Sequence, residues 1–263
     1  MRMAIVHMKT IDEEIILDDM IFYINSTNTS RNAYTYVHKW DKGVIPYSFD
    51  DASGFTTDEK NTIIESMRKI EGQTSMCLSF KERTTEANWV EFKDTPTGCN
   101  SYVGKVGSGA QRVSLQKPGC IYHEVIIHEL LHAAGYGHEQ SRPDRDEFIE
   151  VIFENIQPGF EYAFEKNIAS DVDLFNIPYD YYSIMHYRSN AFSVNGSFTI
   201  LPLDPTVDVN LMGQRKNLSE SDIKMIKLFY KCCSDGKICS SSIRKKFEIK
   251  WIFLIYILNY FTK

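Results

Sequence analysis

The stretch HELLHAAGYGHEQSRPDRD, residues 128–146, contains three of the seven histidines in the chain. His128 and His132 are four residues apart, so on a helix both side chains lie on the same face, one turn apart. Their imidazole nitrogens can then bind one cation. Glu129 would lie beside that cation without being a ligand, where it can accept a proton and pass it on.

A third ligand is available just beyond the helix. Gly135 permits the sharp left-handed turn that ends a helix, and His138 can then return to the cation. Three neutral imidazoles leave a position open for water, as a catalytic zinc ion requires. Zinc lowers the pKa of bound water to about 7, which makes a hydroxide-like nucleophile available at neutral pH. The sequence therefore predicts one Zn²⁺ per chain.

The alternative is that these histidines are ordinary core residues, as a single histidine in a buried helix usually is. The extended pattern HExxHxxGxxH, however, has five fixed positions, and in a chain of this composition it would arise by chance with a frequency on the order of 10⁻⁵. The surrounding residues of this helix are mostly apolar. Placing imidazoles and a carboxylate among them carries a desolvation cost that a metal would offset.

The pattern HExxHxxGxxH marks the metzincins, and the longer run resembles the astacin family pattern HExxHxxGxxHExxRxDRD. Every fixed position is matched: His128, Glu129, His132, Gly135, His138, Glu139, Arg142, Asp144, Arg145 and Asp146. Downstream, SIMHY (183–187) resembles the family's Met-turn. The resemblance implies that Met185 forms an apolar floor under the zinc. It also implies that Tyr187 is a further metal ligand that can swing away to hydrogen-bond the tetrahedral intermediate.

The fold that this resemblance implies is α+β, a metzincin-type catalytic domain of two lobes. The N-terminal lobe would hold a mixed twisted sheet and two long helices, which the apolar patterns of 56–74 and 121–135 also predict. The C-terminal lobe after His138 would be largely irregular, with a late helix near 219–232. We expect the substrate to pair with an edge strand, for which QRVSLQ (111–116) is the candidate.

The six cysteines form no CxxC pattern, and their even number suits disulfides. The resemblance implies a Cys99–Cys120 bridge and a Cys77–Cys232 bridge, with Cys233 as the alternative partner in the second. Cys239 then has no obvious partner except whichever of Cys232 and Cys233 is left over.

The resemblance covers about residues 32–232 and divides the chain into a pro-segment (1–31), a catalytic domain (32–233) and a basic, apolar tail (234–263). The sequence SRNAY (30–34) resembles an activation site, which predicts cleavage after Arg31. The new ammonium of Asn32 would then be buried near Glu139.

Family pro-segments carry a short FxGD-type motif whose aspartate blocks the zinc. Here ILDDM (16–20) is the candidate, with Asp19 as the blocking carboxylate. It departs from the family motif at Ile16 and Asp18. The alternative interpretation is an acidic, solvated segment.

Charge and composition limit the classes of partner that the chain can bind. The net charge is −6; the tail carries +4, so the remainder carries −10, which argues against nucleic acid as a partner. The apolar stretch 251–261 has eleven residues, whereas a membrane-spanning helix needs about 20. A membrane-surface helix and an artefactual chain end are its two interpretations.

The sequence predicts a secreted protein, although its N-terminus does not look like a signal peptide. Asn-x-Ser/Thr sequons occur at Asn25, Asn28, Asn195 and Asn217 and add weak support for secretion, because such triplets are common by chance. The N-terminus lacks the uninterrupted apolar segment of a signal peptide, so either the usual route is not taken or the true start lies upstream.

Together these features predict a secreted zymogen that hydrolyses peptide bonds in proteins or peptides. Zinc would polarise the scissile carbonyl, and Glu129 would activate the water. The alternative is a catalytically inactive binding protein of the same fold. The sequence indicates neither a natural substrate nor an oligomeric state.

Overall fold

A computed structural model describes residues 14–23, 38–107, 109–213 and 216–232. Their α+β architecture is the expected one. The helices are α1 (Thr57–Gln73), α2 (His123–Ala134) and α3 (Glu220–Phe229). The strands are β1 (Glu14–Leu17), β2 (Met20–Tyr23), β3 (Val44–Phe49), β4 (Ser79–Glu82), β5 (Trp89–Lys93), β6 (Cys99–Tyr102), β7 (Ala110–Leu115), β8 (Ile149–Val151) and β9 (Ile200–Pro202). Within the described residues, no helix is both long and apolar enough to cross a bilayer.

The main sheet has seven described strands in the order β1-β2-β6-β7-β5-β3-β4. It is mixed, as expected, because β1 pairs with β2 and β6 with β7 in antiparallel fashion, whereas the other neighbours are parallel. The predicted edge strand QRVSLQ is wrong, since β7 lies between β5 and β6 and has both sides paired. An alternating pattern identifies a strand but not its neighbours. Apart from the N-terminal hairpin of β1 and β2, the last strand on this side of the sheet is β6, and β2 pairs with it.

Helix α1 begins at a capping box. The Thr56 hydroxyl accepts a hydrogen bond from Glu59 N, and the Glu59 carboxylate accepts one from Thr56 N, which satisfies two backbone donors at the helix start. Ile63, Met67 and Ile70 are buried against the sheet and α2.

Helix α2 is buried on nearly all sides, as its apolar sequence predicts. Its last carbonyls have partners from distant parts of the chain: the Trp40 indole N–H donates to Ala133 O (2.8 Å), and the Tyr230 hydroxyl donates to Ala134 O (2.8 Å). Gly135 ends the helix with φ at +111°, a left-handed conformation that glycine adopts without strain. The end of α2 is therefore held by two distant segments of the chain.

The C-terminal lobe has little regular structure beyond short 3₁₀ turns, the β8–β9 pair and α3. It has a second hydrophobic core, which includes Ile149, Phe164, Tyr179, Tyr187 and Ile200. Disulfides join Cys77 to Cys232 and Cys99 to Cys120. The first of these fixes the end of α3 to the N-terminal lobe.

Candidate metal centre

The structure brings His128, His132 and His138 together around one point. His128 and His132 come from successive turns of α2, and His138 returns after the Gly135 turn. The Nε2 atom of His128 lies 3.0 Å from that of His132 and 3.3 Å from that of His138. Ligands at about 2.0–2.1 Å from a tetrahedral zinc ion would be separated by roughly 3.3 Å. The spacing of the three nitrogens therefore fits that ion.

The tautomers of two of these rings follow from their hydrogen bonds. His128 Nδ1 lies 2.8 Å from Ile184 O and His132 Nδ1 lies 2.7 Å from Tyr136 O. A carbonyl only accepts, so both Nδ1 atoms donate, and in the neutral ring both Nε2 atoms carry lone pairs. Burial lowers the pKa of His132 to about 4, which keeps this ring in the neutral form that a metal ligand requires.

Asp19 lies at the same point. One carboxylate oxygen is 3.1 Å from His128 Nε2, and the other is 3.3 Å from His132 Nε2 and 3.0 Å from His138 Nε2. All four ligand atoms lie within 4.8 Å of one another. The lone pairs of the histidine Nε2 atoms and the Asp19 carboxylate repel one another unless a cation lies between them. Three imidazole nitrogens and a carboxylate oxygen are a donor set that fits Zn²⁺.

Glu129 is 1% exposed, and its Oε2 has no hydrogen-bond partner among the described residues. Burial, followed by the nearby charges of Asp19 and Asp18, raises the pKa of Glu129 well above the usual range. A buried, unpaired carboxylate is costly and needs a reason. The burial of Glu129 is explained if its carboxylate acts as a base on a water molecule bound between it and a metal.

The hydroxyl of Tyr187 donates a hydrogen bond to Asp18. The Tyr187 ring is packed against His138, with the centroids 4.7 Å apart. Its backbone N–H donates to the buried Gln140 Oε1 at 3.1 Å. Sequence reasoning missed the parts played by Asp18 and Gln140. The HEQSR run could have pointed to Gln140, whereas nothing in the sequence pointed to the contact of Asp18.

Asp18 and Asp19 form the turn between β1 and β2. Asp18 has φ at +61°, a left-handed conformation that glycine favours and aspartate tolerates. The hairpin is held on β6 by backbone hydrogen bonds from Ser101 N to Asp19 O (2.9 Å) and from Val103 N to Ile21 O (3.2 Å). The substitution of Asp for glycine in the motif is therefore compatible with the turn.

The Met-turn is connected to both the metal centre and α3. Met185 is buried, and its carbonyl accepts a hydrogen bond from Glu139 N at 3.0 Å. Asp222, in the first turn of α3, accepts hydrogen bonds from the Ser183 hydroxyl (2.6 Å) and Ile184 N (3.2 Å). Because Ile184 O binds the His128 ring, Asp222 indirectly holds a metal ligand. No pattern in the sequence indicates this role of Asp222.

The charged side chains that follow His138 stabilise the irregular segment after α2. The buried Arg142 guanidinium donates to Glu139 (2.9 Å) and, through two nitrogens, to Asp144 (2.8 and 2.9 Å). Arg145 donates to Gln140 O at 3.0 Å and to Asp146 at 2.6 Å. None of these side chains lies among the metal-ligand atoms. Their contacts position the segment that carries His138 and Gln140.

Beside His138 and Glu139 lies a cavity of about 370 Å³, lined also by Lys39, Tyr136 and Asp180. Burial raises the pKa of Glu139 to about 7, although Arg142 opposes this shift. The Tyr136 hydroxyl is buried without a hydrogen-bond partner in the described part of the chain. Arg31, Asn32, Cys233, Cys239 and the stretch 251–261 lie outside the described residues.

His123 and His186 are not among the clustered metal-ligand atoms. His186 Nδ1 is 2.6 Å from Tyr187 O, and Nε2 is 2.7 Å from the Tyr179 hydroxyl. Burial lowers the pKa of His186 to about 4. The ring is therefore a neutral, hydrogen-bonded core residue.

Comparison with known proteins agrees with this geometry. The profile of the Astacin peptidase family matches residues 32–231. Zinc metalloproteinase nas-14 of Caenorhabditis elegans is 37% identical over 236 residues, which are 89% of this chain and 45% of that protein. Bone morphogenetic protein 1 of Xenopus laevis is 41% identical over 209 residues, 77% of this chain and 28% of that protein. The chain therefore spans less than half the length of these relatives.

Among solved structures, the chain is similar to high choriolytic enzyme 1, a hatching enzyme zinc-protease from the medaka fish Oryzias latipes. The TM-score is 0.67 at 38% identity, and the match covers 78% of this chain and 99% of the other. With the histidine cluster, the buried glutamate and the Met-turn in place, the chain belongs to the astacin family of peptidases.

Proposed function

We propose that this chain is a zinc-dependent endopeptidase that hydrolyses peptide bonds in proteins or peptides. The convergence of the His128, His132 and His138 nitrogens next to the buried carboxylate of Glu129 carries the proposal. A bound zinc ion would polarise the scissile carbonyl and acidify a water molecule. Glu129 accepts the proton of that water and then delivers it to the leaving nitrogen.

Tyr187 is proposed as the donor that stabilises the oxyanion. Its hydroxyl is oriented by packing of the ring against His138 and by the hydrogen bond from its backbone N–H to Gln140. In the pro-segment arrangement the same hydroxyl is engaged by Asp18. Removal of the hairpin would free it for the substrate.

The substrate is proposed to bind as an extended strand along β6. The hairpin now occupies this edge, with Ser101 N and Val103 N as the donors that hold it. Addition of a strand to an exposed sheet edge is a general way to bind peptides. A peptide placed there would pass the same metal centre that Asp19 reaches from the turn between β1 and β2.

We further propose that residues 1–31 keep the enzyme latent. Asp19 lies where the fourth zinc ligand would be, and Asp18 engages Tyr187, so neither water nor substrate can take these positions. Cleavage after Arg31 would release the segment that carries both residues. We propose that this happens outside the cell, where the Cys77–Cys232 and Cys99–Cys120 disulfides persist.

The new N-terminus is proposed to enter the cavity beside Glu139. Lys39 lines this cavity, and seven residue steps separate it from Asn32, which span at most about 24 Å. The ammonium of Asn32 would there meet the carboxylates of Glu139 and Asp180. Such a buried ion pair would order the segment between Asn32 and Lys39.

Cleavage of casein tests the function. The oxidatively refolded chain beginning at Asn32 is compared with its Glu129→Ala variant, each with and without a zinc chelator. Cleavage that both the chelator and the substitution abolish would support the proposal. A folded protein that carries about one zinc ion per chain but cleaves nothing would contradict it and favour the inactive binding protein.

A further inference from the structure

We propose that Asn195 carries an N-linked glycan that covers an exposed apolar patch on the C-terminal lobe. The patch consists of Phe153, Val194 and Phe198, which are 49%, 54% and 38% exposed. The proposal rests on the extracellular location proposed above, but not on peptidase activity.

The sequon Asn195-Gly196-Ser197 lies at the tip of a loop in the C-terminal lobe, and all three residues are exposed. Asn195 Oδ1 accepts a hydrogen bond from Ser197 N at 2.9 Å, so the loop is ordered as an Asx turn. Gly196 has φ at +83°, and a Cβ placed there would meet no atom within 4 Å. Because Asn195 itself is exposed, a bulky sugar can be accommodated on its side chain.

The start of the same loop is held by aromatic packing of Phe192. Phe192 stacks on Phe160, with the ring centroids 5.1 Å apart, and its ring lies 5.6 Å from that of Tyr187. Phe192 is only partly exposed, in contrast to the sequon three residues further on. A glycan at Asn195 can therefore extend into solvent without displacing the residues around Tyr187.

The three patch residues lie on two segments that are hydrogen-bonded to each other. Val194 N donates to Asn155 O (2.9 Å), and Asn155 Nδ2 donates to Phe198 O (2.7 Å). Phe153 thus lies on the segment next to the loop that carries Val194 and Phe198. Exposed apolar patches on secreted proteins promote association unless something covers them. The glycan acceptor lies between two of the three patch residues.

Asn217 offers a matched control. It is also an exposed sequon asparagine, but its serine, Ser219, is buried and caps α3 by accepting a hydrogen bond from Asp222 N at 2.9 Å. Asn25 and Asn28 lie outside the described residues.

Site occupancy is the first test. The full chain is directed into the secretory pathway with a leader peptide, recovered from the lumen or medium, and deglycosylated enzymatically in ¹⁸O-water. We expect the peptide containing Asn195 to be converted to ¹⁸O-labelled aspartate in most molecules. An Asn195 peptide recovered unlabelled from translocated protein would overturn the proposal. This readout is independent of whether the protein cleaves anything.

The covering role is tested with Asn195→Gln and Ser197→Ala, which each remove the sequon, beside Asn217→Gln. We expect the first two variants to lose one glycan, bind more hydrophobic dye and self-associate at lower concentration. Adding Val194→Ser and Phe198→Ser should reverse the last two effects. Unchanged dye binding and association in both sequon variants would overturn the covering role, and equal effects in Asn217→Gln would show that the patch is not involved.

Discussion

At the scale of single residues, Glu129 is the side chain on which the proposed hydrolysis most depends. Glu129→Gln keeps the size of the side chain but cannot accept the proton from water. We expect peptide cleavage to fall by roughly 10²- to 10⁴-fold, measured with a fluorogenic peptide. Glu129 is not one of the clustered ligand atoms, so zinc content should stay unchanged by atomic absorption. Cleavage within a few fold of the unsubstituted enzyme would exclude Glu129 as the base.

The two adjacent aspartates of the hairpin make separable contributions to latency. Asp19 contacts all three histidines, whereas Asp18 contacts Tyr187. We expect the uncut full chain with Asp19→Ala to cleave a fluorogenic peptide. In this variant the bound zinc would have an open coordination position. Asp18→Ala, the matched control, should weaken latency less, because Asp19 still blocks the metal. An uncut Asp19→Ala chain as silent as the parent would contradict this assignment.

At the scale of elements, the start of α3 and the metal centre are connected through the Met-turn. Asp222→Ala leaves Ile184 N and the Ser183 hydroxyl without their acceptor, and Ile184 O holds the His128 ring. We expect zinc to dissociate about 10- to 100-fold more readily, the range for lost outer-shell partners of a metal site. Competition with a chromophoric chelator measures this change.

The control for that prediction is Ser219→Ala, which removes the cap of the same helix but keeps the contacts of Asp222 with the Met-turn. We expect a loss of about 1 kcal/mol in stability with little change in zinc affinity. If both variants lower the melting temperature alike and neither changes zinc affinity, Asp222 serves only to cap α3.

At the scale of the whole molecule, the two disulfides differ in how much chain they close. Cys77–Cys232 spans 155 residues and joins the end of α3 to the N-terminal lobe, whereas Cys99–Cys120 spans 21 residues within the sheet region. Loop-closure entropy predicts stabilisation of about 5 and about 3 kcal/mol respectively. We expect the double serine variant of the first pair to melt at the lower temperature in thermal unfolding. The reverse order would mean that native packing, and not loop length, decides their contributions.

Most of the metal centre followed from local rules. Eleven residues contain all the features that bring the three histidines together: the spacing of His128 and His132 on a helix, the Gly135 turn and the return of His138. Over so short a stretch, local backbone geometry determines which side chains converge. The starts of α1 and α3 were also predictable, because capping boxes are contained within four residues. These features needed no knowledge of distant contacts.

What the sequence determined by itself was therefore the convergence of the three histidines beside Glu129, the helices and the family. Only the tertiary structure decided which strand is an edge, since the sequence of a strand does not specify its neighbours in the sheet. Only the tertiary structure brought Asp18 to Tyr187 and Asp222 to the Met-turn, across separations of 169 and 39 residues. The physical reason is that a local pattern specifies backbone conformation and the face of a side chain. Contacts between distant residues depend instead on how all the buried surfaces of the chain pack together.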